Sequence, residues 1–210
     1  MKVALLSLNT PNIASYSDIS AVHNQKYADT HNIDYIRYED TLDNSRPPSW
    51  SKIIALQNHI DDYDWIMWID ADAIFIKNDD IHTELLKDNN HKMLLISKDC
   101  NGINCGVFFL RNTSYTHNFL KTIYNTTKYI RHPWWEQKAI QDLYNQDTSF
   151  RMHTQLIDKN IYNSYELKEA TNILHLPGYS TKERIHIFNT LIKTKESKVS
   201  EDDKAIHKLK

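Results

Sequence analysis

Glycine is scarce: the 210 residues hold three, Gly102, Gly106 and Gly178. Their spacing fits neither G-x-G-x-x-G nor the P-loop pattern, both of which need glycine where backbone approaches phosphate closely. A dinucleotide-binding Rossmann fingerprint and a Walker-type NTPase are thereby excluded, and any phosphate-bearing ligand must be held by another device. The two cysteines, Cys100 and Cys105, match no zinc spacing and no disulfide framework. A formal net charge of −2 leaves no basic footprint for nucleic acid or an acidic membrane surface. No run approaches the roughly 20 apolar residues of a membrane span. The opening MKVALLSLNTPN lacks the long apolar core and small-residue cleavage site of a signal peptide. The expectation is a cytoplasmic protein with neither a nucleic-acid partner nor a membrane span.

Short apolar runs alternate with helical spacings. Residues 3–8 (VALLSL), 33–38 (IDYIRY), 63–70 (YDWIMWID), 92–97 (KMLLIS) and 104–111 (NCGVFFLR) read as strands. The 63–70 run is nearly all apolar and aromatic, the composition of a strand covered on both faces. Residues 16–31 are polar with scattered apolar positions and read as an exposed helix. Trp50, Ile53, Ile54, Gln57 and Ile60 fall on one helical face, with Ser49 as its N-cap. Tyr115, Phe119, Leu120, Ile123 and Tyr124 share a helical spacing that Trp135, Ala139, Ile140, Leu143 and Tyr144 repeat. Residues 173–176 make a short strand or loop before Pro177-Gly178. This alternation predicts an α/β sandwich with a mostly parallel central sheet flanked by helices. A single domain over 1–192 is expected, with a charged tail at 193–210 that has too few apolar residues to bury a face.

The most hydrophobic strand ends in Asp70-Ala71-Asp72. In extended chain, residues i and i+2 point the same way, so two carboxylates converge where a buried strand meets water. In open α/β sheets, ligands sit at the carboxyl ends of strands. Like charges side by side repel and are costly to desolvate, and a divalent cation resolves both problems. Hard oxygen ligands favour Mn²⁺ or Mg²⁺ over zinc. The alternative is a pair of loop acids that cap the next helix, which the flanking apolar runs WIMWI and AIF argue against. His175, in HLPGYSTK, supplies an imidazole able to complete the shell, or is one satisfied loop histidine among 11. Lys182 is within reach of a phosphate, or is a solvated surface lysine. Trp134-Trp135-Glu136-Gln137 opens a helix after Pro133. Two indoles beside a carboxylate and an amide suit a sugar site, and equally suit core tryptophans with a first-turn acid.

Taken in order, these segments resemble glycosyltransferase family 34, the galactosyl/xylosyl/mannosyltransferase group with a GT-A fold. The likeness is carried by KYADTHNIDY (Lys26 to Tyr35), WSKI (Trp50 to Ile53), YDWIMWIDADA (Tyr63 to Ala73), NCGVFFLRN (Asn104 to Asn112), WWEQKAI (Trp134 to Ile140) and HLPG (His175 to Gly178). It covers roughly residues 3–190. The resemblance implies a retaining transfer of a hexose or pentose from a nucleotide sugar, a UDP-sugar favoured, to a glycan or sugar acceptor, with Mn²⁺ or Mg²⁺ at the diphosphate. It implies that Asp70, Ala71 and Asp72 form the D-x-D metal and ribose site, and that His175 is the third metal ligand. Ser7, Leu8, Asn9 and Lys52 would lie near the nucleoside, and Asn104 and Gly106 near the donor sugar. Glu136 and Gln137 would lie beside the reacting carbon, and Gly178 and Lys182 near the diphosphate. A non-catalytic binding module of the same fold and a metal-dependent phosphohydrolase are the other readings.

Overall fold

A computed structural model of the chain describes residues 1–193. The expected tail therefore lies outside the described residues except for Lys193, which is helical. In chain order the elements are β1 (Val3–Leu8), α1 (Ala14–His31), β2 (Asp34–Tyr38), α2 (Ser51–His59), β3 (Trp65–Ile69), β4 (Ala73–Phe75), α3 (Thr83–Asp88), β5 (Leu94–Asp99), β6 (Gly102–Arg111), α4 (Ser114–Asn125), α5 (Trp135–Gln146), α6 (Thr148–His153), β7 (Thr154–Leu156), α7 (Lys159–Tyr162) and β8 (Ile173–His175). The described residues 181–193 are helical and are called α8.

Six strands form one sheet in the order β2-β1-β3-β6-β5-β7. β1 pairs in parallel with both β2 and β3, and β5 with β7, whereas β6 runs antiparallel to β3 and β5. Five strands thus point one way and β6 is reversed, in line with the mostly parallel sheet expected. The period-2 alternation of each strand splits its side chains between two cores. Ala4, Leu6, Ile66, Trp68, Ile96, Phe108 and Leu110 face α2, α4 and α5. Val3, Leu5, Trp65, Met67, Leu95, Val107 and Phe109 face the other way, toward Tyr27 and Ala28 of α1 and Leu86 of α3. Covering both faces explains why β3 reads as an unbroken apolar run.

Two helices differ from their expected surfaces. α1 is not simply exposed: Tyr16, Ser17, Ser20, Asn24, Tyr27 and Ala28 are buried. The buried face is polar because it satisfies backbone. Ser20 Oγ donates to the Ala71 carbonyl at 2.6 Å, and Asn24 Nδ2 to the Ala73 carbonyl at 3.1 Å. α2 is entered through a 3₁₀ turn at Pro48–Trp50, and its N-terminus carries no side-chain cap. The Ser49 hydroxyl instead donates to Glu136 Oε2 at 2.6 Å. Gln57 is exposed, and the buried face of α2 runs through Ser51, Lys52, Ile53, Ala55 and Leu56.

β4 and β8 form a separate two-stranded antiparallel sheet. Its apolar side, Ile74 and Leu174, packs with Tyr16 of α1 and Phe188 of α8 in a third core. This small sheet connects the end of β3 to the HLPG segment.

Candidate metal and ligand cleft

The register of the small sheet builds the site. Ala73 pairs with His175, and the Leu176 amide donates to the Asp72 carbonyl at 3.0 Å. His175 is thereby set beside the carboxylates that end β3. Between β3 and β4 the chain does not stay extended. The Ala73 amide donates to the Asp70 carbonyl at 2.9 Å, closing a four-residue turn. The turn still brings one ligand atom each from Asp70, Asp72 and His175 within 4.8 Å of one another. That spacing, with two hard carboxylate oxygens and one imidazole, fits Mn²⁺ or Mg²⁺.

Each carboxylate is partnered within the chain. Asp70 Oδ1 accepts from Trp68 Nε1 at 2.7 Å and lies 3.1 Å from Lys52 Nζ. Asp72 Oδ1 lies 3.2 Å from His175 Nε2, and its Oδ2 lies 2.7 Å from the Arg184 guanidinium. Burial pushes the Asp72 carboxyl up, but His175 and Arg184 together outweigh it and hold the group down at about 2. Lys52 is buried at 3% exposure. Its ammonium bridges Asp70 Oδ1, Glu136 Oε1 at 3.0 Å and the Cys105 carbonyl at 2.8 Å. Desolvation pulls its pKa down, and the two carboxylates more than reverse that, so the group stays charged. Burial likewise pushes the Cys105 thiol up, making it an inert packing group.

A cleft of about 730 Å³ opens over these residues. Asp70, Asp72, His175, Asn104, Gly106, Gln137 and Gly178 line it, together with Trp134, Trp135, Tyr165 and Tyr179. Trp134 and Trp135 are 40% and 39% exposed at its mouth. Trp135 holds φ at +38°, a costly backbone for a bulky residue. Gln137 Oε1 accepts from the Cys105 amide at 2.9 Å. Gly178 has φ +79°, the left-handed conformation that glycine adopts freely.

Other residues singled out from the sequence lie elsewhere. Glu136 is 2% exposed and faces Lys52 and Ser49, outside the cleft lining. Ser7 and Asn9 are buried at the end of β1. Ser7 Oγ contacts Asn9 Oδ1 and the Tyr35 hydroxyl, both at 2.8 Å, and Asn9 Nδ2 donates to the Ser17 carbonyl. Leu8 packs against the α2 core, and Ala71 joins the third core. Lys182 is exposed on α8 and borders a different groove with Ile185, His186 and Asn189.

Sequence reasoning missed Arg184, Asp99, Asn163 and Tyr165. A signal existed for Arg184. Ser180-Thr181-Lys182-Glu183 has the S-x-x-E form of a capping box, and both of its bonds are present, at 2.7 and 3.3 Å. A helix begun there separates Lys182 from Arg184 by about 200° around its axis.

A family model for the galactosyl transferase GMA12/MNN10 family matches residues 76–196. That span contains His175 and begins just past Asp72. An uncharacterized alpha-1,2-galactosyltransferase, C1289.13c, of Schizosaccharomyces pombe is 23% identical over 182 residues, covering 67% of this chain and 48% of the relative. The chain thus spans about half the length of that protein. Among solved structures, a glycosyltransferase involved in the glycosylation of the major capsid of PBCV-1 superposes with a TM-score of 0.72 at 16% identity, covering 90% of this chain and 100% of that one. The galactosyltransferase LgtC, in complex with donor and acceptor sugar analogs, superposes with a TM-score of 0.60 at 12% identity, covering 89% and 95%. At these identities the likeness establishes the fold, which is that of the GT-A glycosyltransferases.

Proposed function

This chain belongs to the galactosyl transferase GMA12/MNN10 family, and from that premise we propose that it is a metal-dependent, retaining glycosyltransferase. Its donor would be a nucleotide sugar, a UDP-sugar favoured, and its acceptor a glycan or sugar. The observation that carries this reading is the Asp70, Asp72 and His175 cluster at the floor of a cleft of about 730 Å³. When bound, Mn²⁺ or Mg²⁺ would supply Lewis-acid stabilisation of the charge that develops on the leaving diphosphate.

The chain's own residues do the rest. Lys52, shared between Asp70 and Glu136, and Arg184, on Asp72, hold both ligand carboxylates in place before any ligand arrives. Arg184, paired with Asp72, is the better candidate for a cation near the proposed diphosphate, whereas Lys182 is exposed and borders a different groove. Trp134 and Trp135 offer apolar faces at the mouth for the C–H side of a sugar ring. Trp135's costly backbone favours this reading over core packing, because strain clusters at ligand sites. Gln137 is the polar group of its helix that borders the cleft, with one lone pair of its carbonyl already engaged by Cys105. Glu136, locked in a pair with Lys52, is not placed to attack an anomeric carbon. A front-face substitution, in which the leaving phosphate takes the acceptor hydroxyl proton, needs no such nucleophile.

A phosphohydrolase built on two metals would recruit further acids and histidines. Among the described residues one three-ligand group satisfies the spacing, which favours the transferase. A non-catalytic module would have no need of the complete ligand set. Incubating the protein with a panel of UDP- and GDP-sugars, with and without Mn²⁺, tests the proposal. Slow donor hydrolysis that requires Mn²⁺ is expected. Binding of donors with no turnover under any condition would favour the non-catalytic module.

A further inference from the structure

Between the carboxylates and the opposite wall of the cleft lies a chain of amides whose hydrogen bonds can be followed atom by atom. Its ends are unambiguous. The Gly106 amide can only donate, and it donates to Asn104 Oδ1 at 2.9 Å. The Asp99 carboxylate accepts from Asn104 Nδ2 at 3.1 Å. Flipping the Asn104 amide would set N–H against N–H and oxygen against carboxylate, so its orientation is forced. The second Nδ2 proton goes to the Tyr165 hydroxyl at 2.7 Å, and that hydroxyl donates to Asp99. The second Oδ1 lone pair accepts from Asn163 Nδ2 at 2.8 Å. All four hydrogen-bonding positions of the Asn104 side chain are then in use.

The constraint passes on. Asn163 Nδ2 gives its other proton to Ser97 Oγ at 2.9 Å. Its Oδ1 is therefore the atom 2.7 Å from His175 Nδ1. An amide oxygen cannot donate, so Nδ1 must carry hydrogen. Asn163 and Ser97 are fully buried and His175 is 3% exposed, so no water competes for these bonds. Nε2 is left as the ring atom facing Asp72 Oδ1, 3.2 Å away. Without metal, a proton on Nε2 can bridge that gap to the carboxylate, and a bound cation would take the place of that proton.

We propose that Asp99, Asn104 and Asn163 are positioning residues that hold His175 with hydrogen on Nδ1 and reserve Nε2 for the cation shared with Asp72. The role of Asn104 in this chain is then to orient the histidine, with no side-chain valence left over for the donor sugar. The purpose of the relay rests on the metal reading above, whereas its geometry does not, and the experiment separates the two.

In ¹⁵N-labelled, metal-free protein, the imidazole spectrum of His175 should show a protonated Nδ1, and adding Mg²⁺ should leave Nδ1 protonated while Nε2 carries no proton. Asn163→Leu should scramble the Nδ1 signal and weaken Mn²⁺ binding, followed by the spin-resonance signal of free Mn²⁺, by about 10- to 100-fold. Asn163→Asp keeps an acceptor on Nδ1 and should retain the wild-type Nδ1–H signature. An unprotonated Nδ1 in the wild-type protein would overturn the proposal without recourse to any variant. So would an Asn163→Leu protein with an unchanged Nδ1 signal and unchanged Mn²⁺ affinity. A protonated Nδ1 that Asn163→Leu scrambles, in a protein that binds no Mn²⁺, would uphold the relay and remove the metal reading alone.

Discussion

At Gly106 the place where a side chain would begin is taken by His175. A Cβ there would fall 2.0 Å from the imidazole Cε1 and 2.7 Å from Nε2, far inside contact distance. Gly106→Ala must therefore push the ring out of its place beside Asp72. The expected results are Mn²⁺ affinity reduced about tenfold or more and an overpacking cost of about 1–3 kcal/mol, read by Mn²⁺ titration and urea unfolding. Full Mn²⁺ affinity in that variant would contradict the placement of His175. Lys52 makes a second test. Removing its ammonium leaves Glu136 buried and unpaired, which costs about 3–5 kcal/mol. Lys52→Met should lose that much stability in denaturant, and adding Glu136→Gln should restore part of it. Strictly additive losses would mean that the two side chains do not interact.

These residues were unequally legible in the sequence. Asp70 and Asp72 announced themselves by closing the most apolar strand, and His175 by its place before Pro177-Gly178. Lys182 drew attention as the next cation, but the contact to Asp72 belongs to Arg184. Charge and proximity along the chain do not fix direction, and the Ser180/Glu183 cap does. Asn163 and Tyr165 lie in a segment with no motif. Their roles come from a bridge between Ser164 and Leu174 that brings distant chain together.

At the level of elements, most long periodic segments were read well, the helix over 181–193 was not, and most short ones other than β8 were not. β1, β3, α4 and α5 follow their hydrophobic spacing closely. β4, α3, α6 and α7 span three to six residues, too short for a period to establish itself. The polar face of α1 misled for a different reason. Helix burial is usually signalled by apolar residues, and here Ser20 and Asn24 are buried to satisfy the backbone of the D-x-D turn and β4. Asn24 both donates to the Ala73 carbonyl and accepts from the Phe75 amide. Asn24→Ala should strand both groups and cost on the order of 1–3 kcal/mol, measurable by urea unfolding. It should also weaken Mn²⁺ binding, because β4 carries the register that sets His175. A stability loss with unaltered Mn²⁺ affinity would show that the small sheet holds its register without α1.

Over the whole molecule, one sheet buried on both faces fixes the end of β3, while a second, smaller sheet swings the HLPG segment onto it. The scarcity of glycine fits this plan. Gly102 has φ +111° at the start of β6, and Gly178 has φ +79° at the cleft. Gly106 makes room for His175. All three glycines thus stand where a side chain would be strained or excluded, and under the proposed function the phosphate-binding role that glycine-rich loops serve elsewhere would fall here to side chains and a cation. If so, ligand binding should stabilise the fold by mass action. At a concentration of nucleotide sugar about 100 times its Kd, the gain is about 2.7 kcal/mol, and Tm should rise by roughly 5–10 °C for a chain of this size. Omitting Mn²⁺ should remove most of that rise.

The central claim is that Asp70, Asp72 and His175 hold the cation through which a nucleotide sugar binds. Calorimetric titration of UDP-sugar into the wild-type protein and into Asp72→Asn, each with Mn²⁺ and again with EDTA, tests it most directly. The account predicts tight binding in the wild type with Mn²⁺, and binding weakened by EDTA and by the substitution to a similar extent. Nucleotide affinity that is the same with Mn²⁺ and with EDTA would contradict it.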